Sequence, residues 1–305
     1  MELMDRFFGR GLAEPGGPPV ANARLSSPPA FAVLFPGEPA LDAAALTRAL
    51  RDYHPELAAA TAELLPVPEP ARAGYEARHT VLGLIGWGRH VVKLVSFPNP
   101  MPAGVVERCV RPAHYDPELK QQAYDHRGHV LLFYAGYDPD PLEQHVALAV
   151  VAAVLALFGG VVVLNETGGT SVPAAALLPH EEDNGDTLAA LRALPLPFLY
   201  VGFVKLEVEG EPGVWMRTYG CHAFRLTDLA FRAEGHHQGT ATFNLFANML
   251  AYLRESTRTF APGDTVNVGA DLFLRLRART PDEWFLDSPG EILVVEPIRP
   301  EEADA

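Results

Sequence analysis

The chain has 305 residues, 48% apolar and 20% charged, and a formal net charge of −14. That length buries a core without disulfides or structural metals, and that composition excludes a disordered chain. An acidic balance repels phosphate backbones and anionic lipid, so neither nucleic acid nor a membrane is an expected partner.

Taken in chain order, MELMDRFFGRG lacks the continuous apolar run of a secretory signal. Residues 1–30, which include GLAEPGGPPVANARLSSPPA, read as a flexible Pro/Gly-rich leader. An N-terminal α+β half is expected over 31–128. It opens with the strand FAVLF, turns at PGEP, and continues into the helix LDAAALTRALRDY with Asp42 near its N-terminus. After the Pro-broken PVPEPARAG, HTVLGLIGWGRHVVKLVSF reads as two strands around Gly86-Trp87-Gly88. Helical segments follow at AGVVERCV and DPELKQQAYDHR.

The pattern then restarts in a C-terminal half expected over 129–298, with an acidic tail at 299–305. HVLLFYAG is a strand, YDPDP a turn, and LEQHVALAVVAAVLALF a helix. Val146–Leu164 is uncharged and long enough to imitate a membrane span. Gly159-Gly160 splits it, so it reads as a buried helix followed by the buried strand VVVL. A second hairpin is expected in FLYVGFVKLEVEGEPGVWMRTYG, then the helix TATFNLFANMLAYLRE and the strands DLFLRLRA and EILVVEP. The expected class is α+β (α/β), with two ferredoxin-like strand–helix–hairpin–helix–strand halves packed as one unit. A single irregular α+β sheet without duplication is the alternative.

The second hairpin carries the main candidate site. Pairing Val208 with Val214 sets Leu206 against Met216 and Val204 against Thr218, an apolar face. Phe203, Lys205 and Glu207 then oppose Tyr219, Arg217 and Trp215. Lys205 directly opposite Arg217 is repulsive and needs an offset. Neighbouring carboxylates or water would supply one. A bound carboxylate or phosphate would be the other, held by two cations beside Trp215 and Tyr219.

Asn165 and Glu166 follow a buried strand and lead into TGGTSVP, the place where open α/β sheets hold ligands, or else they cap a turn. Asn165, Glu166, Lys205, Glu207, Trp215, Arg217 and Tyr219 are therefore the candidate ligand-binding residues. His236-His237 reads as a polar turn rather than a metal site, and no cofactor or metal is expected. Cys109 and Cys221 form no C-x-x-C pair and read as buried structural residues in a reducing compartment. Ser171 and Ser256 lack a nucleophile elbow. The arginines of LFLRLRAR read as the wet face of an edge strand.

The phrases VVVLNETGGTSVPAAALLP, LPLPFLYVGFVKLEVEGEPGVWMRTYG, DLAFRAEGH and FNLFANMLAYL together resemble the bacterial domain-of-unknown-function 4261 family, best over residues 129–296. The resemblance implies a cytoplasmic bacterial protein and brings no catalytic residues with it. The leading expectation is a non-enzymatic binding or accessory protein for a protein partner or a small anionic ligand. The rival is a hydrolase or transferase with Glu166 as general base and Lys205 and Arg217 stabilising negative charge. A third reading is an oligomer joined through exposed Trp87 and Trp215.

Overall fold

The computed structural model describes residues 2–10, 17–67, 80–256, 258–268 and 272–299. The chain divides into two units, residues 1–166 with 171–194, and 167–170 with 195–305.

The first unit is built on a seven-stranded sheet. In chain order its elements are α1 (Leu3–Phe7), β1 (Ala30–Phe35), α2 (Ala43–Tyr53), β2 (Thr61–Pro66), β3 (Val81–Trp87) and β4 (His90–Phe97). Then come α3 (Ala103–Val110), α4 (Pro117–Tyr124), β5 (Gly128–Tyr134), α5 (Pro141–Ala156), β6 (Val162–Asn165), β7 (Thr170–Pro173) and α6 (Thr187–Ala193). The strand order is β2-β3-β4-β5-β1-β6-β7. Asp42 caps α2 by accepting the Ala45 N–H at 2.7 Å, as its position suggests.

The segment that imitates a membrane span forms α5 and β6. Every residue of α5 from His145 to Leu155 is buried, as are all four of β6. A helix apolar on all sides must be covered on all sides, so α5 is the centre of this core. Asp140 caps it by accepting the Leu142 N–H, and Pro141 opens its first turn. Gly159, at φ +95°, reverses the chain, and Gly160 lies so close to β1 that a Cβ would meet Val33 Cγ1 at 2.7 Å. Among the described residues, no helix is long and apolar enough to cross a membrane.

The α+β class holds, but the division into two equivalent halves does not. β5, expected to open the second half, pairs antiparallel with both β1 and β4 in the first sheet. A strand with Gly128, His129, Val130, Leu132 and Tyr134 buried needs a neighbour on each edge, and only distant strands provide them. Residues 2–10 and 17–29 also differ from a flexible leader. Arg6 and Phe7 are buried, Arg6 pairs with Glu63, and Phe7 packs with Ala21, Leu84 and Val91. Leader residues 11–16, linker residues 68–79 and tail residues 300–305 lie outside the described residues.

The second unit holds α7 (Leu196–Leu199), β8 (Gly202–Leu206), β9 (Val214–Tyr219), β10 (Asp228–Ala233), α8 (Gly239–Ser256), β11 (Thr265–Asn267), β12 (Phe273–Ala278) and β13 (Ile292–Ile298). Its sheet runs β11-β12-β13-β10-β9-β8, with β10 and β13 parallel. One face packs under α8, where Phe203 meets Phe243 and Phe246 edge-on. The other gathers Trp215, Ala230, Ile292 and Val294 beneath Leu286. β12 is bordered by β11 and β13, so its arginines do not line an edge.

Candidate functional site

The hairpin register differs by one residue from the one its alternation suggests. Leu206 pairs with Trp215, Lys205 with Met216, Val204 with Arg217 and Phe203 with Thr218. Directly opposed residues share a face, so Trp215, Arg217 and Tyr219 lie on one side of β9 and Lys205 on the other. The two cations are therefore not neighbours, and the paired-cation anion site is not formed. Lys205 runs instead toward the start of α8, where a Cβ on Gly239 would lie 2.6 Å from its Nζ. Glu207 accepts from His236 Nε2 at 2.7 Å, an exposed pair that joins the end of β8 to the expected polar turn.

Arg217 is buried, and its guanidinium is held by carbonyls. Nε donates to Thr218 O at 3.1 Å and Nη1 to Asp287 O at 3.0 Å, while Tyr219 lies 5.2 Å beneath. Burial lowers its pKa, opposed chiefly by the charge of Asp228. That fully buried carboxylate accepts from Thr218 Oγ1, the Cys221 N–H and Ser288 Oγ at 3.0, 3.2 and 2.7 Å. Arg217 and Asp228 thus knit β9, β10 and the loop before β13 together, a structural network inside the sheet. Trp215 is buried against Phe285 and is not an exposed interface residue.

Asn165 and Glu166 belong to the first unit, and Lys205 and Arg217 to the second. Asn165 is buried, and its carbonyl faces Cys109 Sγ at 3.8 Å. Glu166 is exposed and pairs with Arg108 at 3.0 Å. Candidate nucleophiles are equally committed to structure. Ser171 Oγ donates to Cys109 O, and Ser256 Oγ donates to Tyr252 O. Burial pushes the Cys109 thiol up to about 11 and raises the Cys221 thiol well above its ordinary range, so neither is a thiolate at neutral pH. Among the described residues, no group of three His, Cys, Asp or Glu side chains could hold a metal ion.

The second unit displays a residue that the sequence did not single out. Trp284 is 72% exposed, at the start of a 3-10 turn, Trp284–Leu286. Its platform is rigid. Glu283 is buried and receives Arg277 through both carboxylate oxygens, and the Thr280 N–H donates to it at 2.7 Å. Arg277 Nε reaches Glu296 at 2.6 Å, and Arg279 meets Asp287 at 2.9 Å. Leu286 anchors the far side in the core, and Phe285 touches both Trp284 and Trp215. Arg277 of β12 and Arg279 just past its end therefore hold this loop. The available signal was a Trp between acidic residues in a loop bounded by Pro281 and Gly290.

The family model described as domain of unknown function (DUF4261) matches residues 217–296. The match spans Arg217, Asp228, Arg277, Glu283 and Trp284, and lies wholly in the second unit. No curated protein and no solved structure matches the chain.

Proposed function

We propose that the protein is a non-enzymatic binding or accessory protein that docks a protein partner on its second unit, with Trp284 as the anchor. One observation supports this reading: a large aromatic side chain is held in solvent by a clamp of charged hydrogen bonds. Exposing an indole is unfavourable by a few kcal/mol relative to burying it. Fixing its support removes much of the ordering entropy that a flexible loop would lose on binding. Trp is the residue type most enriched at the energetic centres of interfaces. Asp282, exposed two residues before, favours a partner pocket with an apolar floor and a basic rim. The free, buried thiols and the family resemblance support a cytoplasmic bacterial setting.

The reading is tested by parallel affinity purifications from the native host with wild-type protein and Trp284→Ala. A partner retained by the wild type should be lost by the variant, at unchanged thermal stability. Equal retention by both proteins would refute the assignment of the anchor.

A further inference from the structure

The first unit contains a concave pocket of about 260 Å³ at the end of the β3–β4 hairpin, independent of the Trp284 surface. Trp87 and His90 close a two-residue turn, which Gly88 allows at φ +50°. Their rings lie 5.3 Å apart on one wall. Val146, Val150 and Leu188, all buried, form an apolar floor. Glu56, Asp138 and Glu143 bring three carboxylates to the lining, and Arg89 and Arg192 bring two guanidiniums.

The cations are already engaged. Arg192 grips Glu143 through Nε and Nη2 at 2.8 and 3.1 Å and approaches Glu56 at 3.7 Å. Arg89 Nη2 donates to Tyr137 O at 2.8 Å. One Asp138 oxygen accepts the Asp140 N–H at 2.9 Å. His90 is kept neutral, since burial lowers its pKa against the raising effect of Asp138 and Glu143. Its tautomer follows from its neighbours. The Tyr134 hydroxyl accepts the Asp138 N–H at 3.1 Å, which leaves its own proton for His90 Nδ1 at 3.4 Å. Nε2 then carries the imidazole proton. The lining is left with one net negative charge, an aromatic wall and an apolar floor.

We infer that this pocket binds a small organic monocation, a protonated amine carrying an apolar body. The ammonium would meet Asp138 and the Trp87 ring face, where carboxylate and π-system attract the same charge. The apolar body would cover Val146, Val150 and Leu188. An anion would face the net negative charge, and a neutral molecule would leave it unmatched.

The test uses the full chain and three probes of one shape: cyclohexylammonium, cyclohexanol and cyclohexanecarboxylate. Binding is followed at pH 7.5 by the NMR shift of the Trp87 indole N–H and by calorimetry. The amine should bind saturably, at least about tenfold more tightly than either isostere. Asp138→Asn should erase that preference while leaving the thermal midpoint near the wild-type value. Should Asp138→Asn unfold the protein, Trp87→Leu serves instead and should weaken the amine selectively. Equal binding of amine and alcohol, or no shift at Trp87 with any probe, would overturn the inference.

Discussion

Arg277 donates to both carboxylate oxygens of Glu283, through Nη1 to Oε2 at 2.8 Å and Nη2 to Oε1 at 2.6 Å. This pair turns a surface loop into a fixed platform for the adjacent Trp284. Arg277 holds the Glu283 carboxyl below the usual carboxylate range, and the pairing raises the guanidinium in return.

Glu283→Ala should therefore free the loop. A lost charge-assisted pair of this kind is worth about 2 kcal/mol, and amide exchange should rise across residues 280–288 while α5 stays protected. The pH dependence has a fixed sign. A carboxyl depressed by folding adds stability above its ordinary pKa and loses it as pH falls through the lowered value. Exchange in the loop should thus accelerate in acid before the core opens.

Asp228→Ala should be among the most damaging substitutions in the second unit. It leaves Thr218 Oγ1, the Cys221 N–H and Ser288 Oγ without their acceptor and removes the charge facing buried Arg217. Breaking one partner of a buried charged network costs about 3–5 kcal/mol. Urea unfolding should show a loss of that size, and Asp228→Asn a smaller one.

His145 makes the first unit acid-sensitive. It donates Nδ1–H to Pro141 O at 2.7 Å inside α5, and burial pushes its pKa down to about 4 from the ordinary 6.5. The unfolded chain binds this proton at a higher pH than the folded one, so stability falls as pH drops from about 6.5 toward about 4. The loss approaches about 3 kcal/mol at the low end of that window. His145→Gln should flatten the urea midpoint over this range.

Burial ends abruptly at the C-terminus of α5: Leu148 within it is fully buried, and Leu157 just past its end is 61% exposed. Leu148→Ala should cost about 3 kcal/mol through the cavity it leaves, and Leu157→Ala less than about 0.5 kcal/mol. Thermal unfolding of the two variants, measured side by side, gives the comparison.

Some of this architecture was written locally in the chain. The uncharged run Val146–Leu164, split by Gly159-Gly160, specified a buried helix and strand because residues apolar on every side must be covered on every side. The hairpin register was not legible for a related reason. Val214, Trp215, Met216, Arg217 and Thr218 are all buried, so β9 has no wet face and its alternation cannot choose between registers one residue apart. Arg217 looks like a surface cation in sequence, and its burial is offset by the carbonyls of Thr218 and Asp287 together with the charge of Asp228, none of which its local sequence announces. β5 resembled the start of a repeat because its partners, β1 and β4, are distant in sequence. Trp284 is not legible as a site in sequence, because a Trp in a loop gives no sign of its exposure. The clamp that exposes it is assembled from β12, β13 and the loop itself.

Site-specific photo-crosslinking in the native host tests the central claim most directly. A benzoylphenylalanine is placed at exposed position 282, which leaves Trp284 in place, with a second at position 157 as an exposed control in the first unit. The expected result is a discrete higher-mass adduct from position 282, absent from position 157 and lost when Trp284→Ala is added. No adduct at 282, or the same adduct from both positions, would contradict the assignment of Trp284 as the docking anchor.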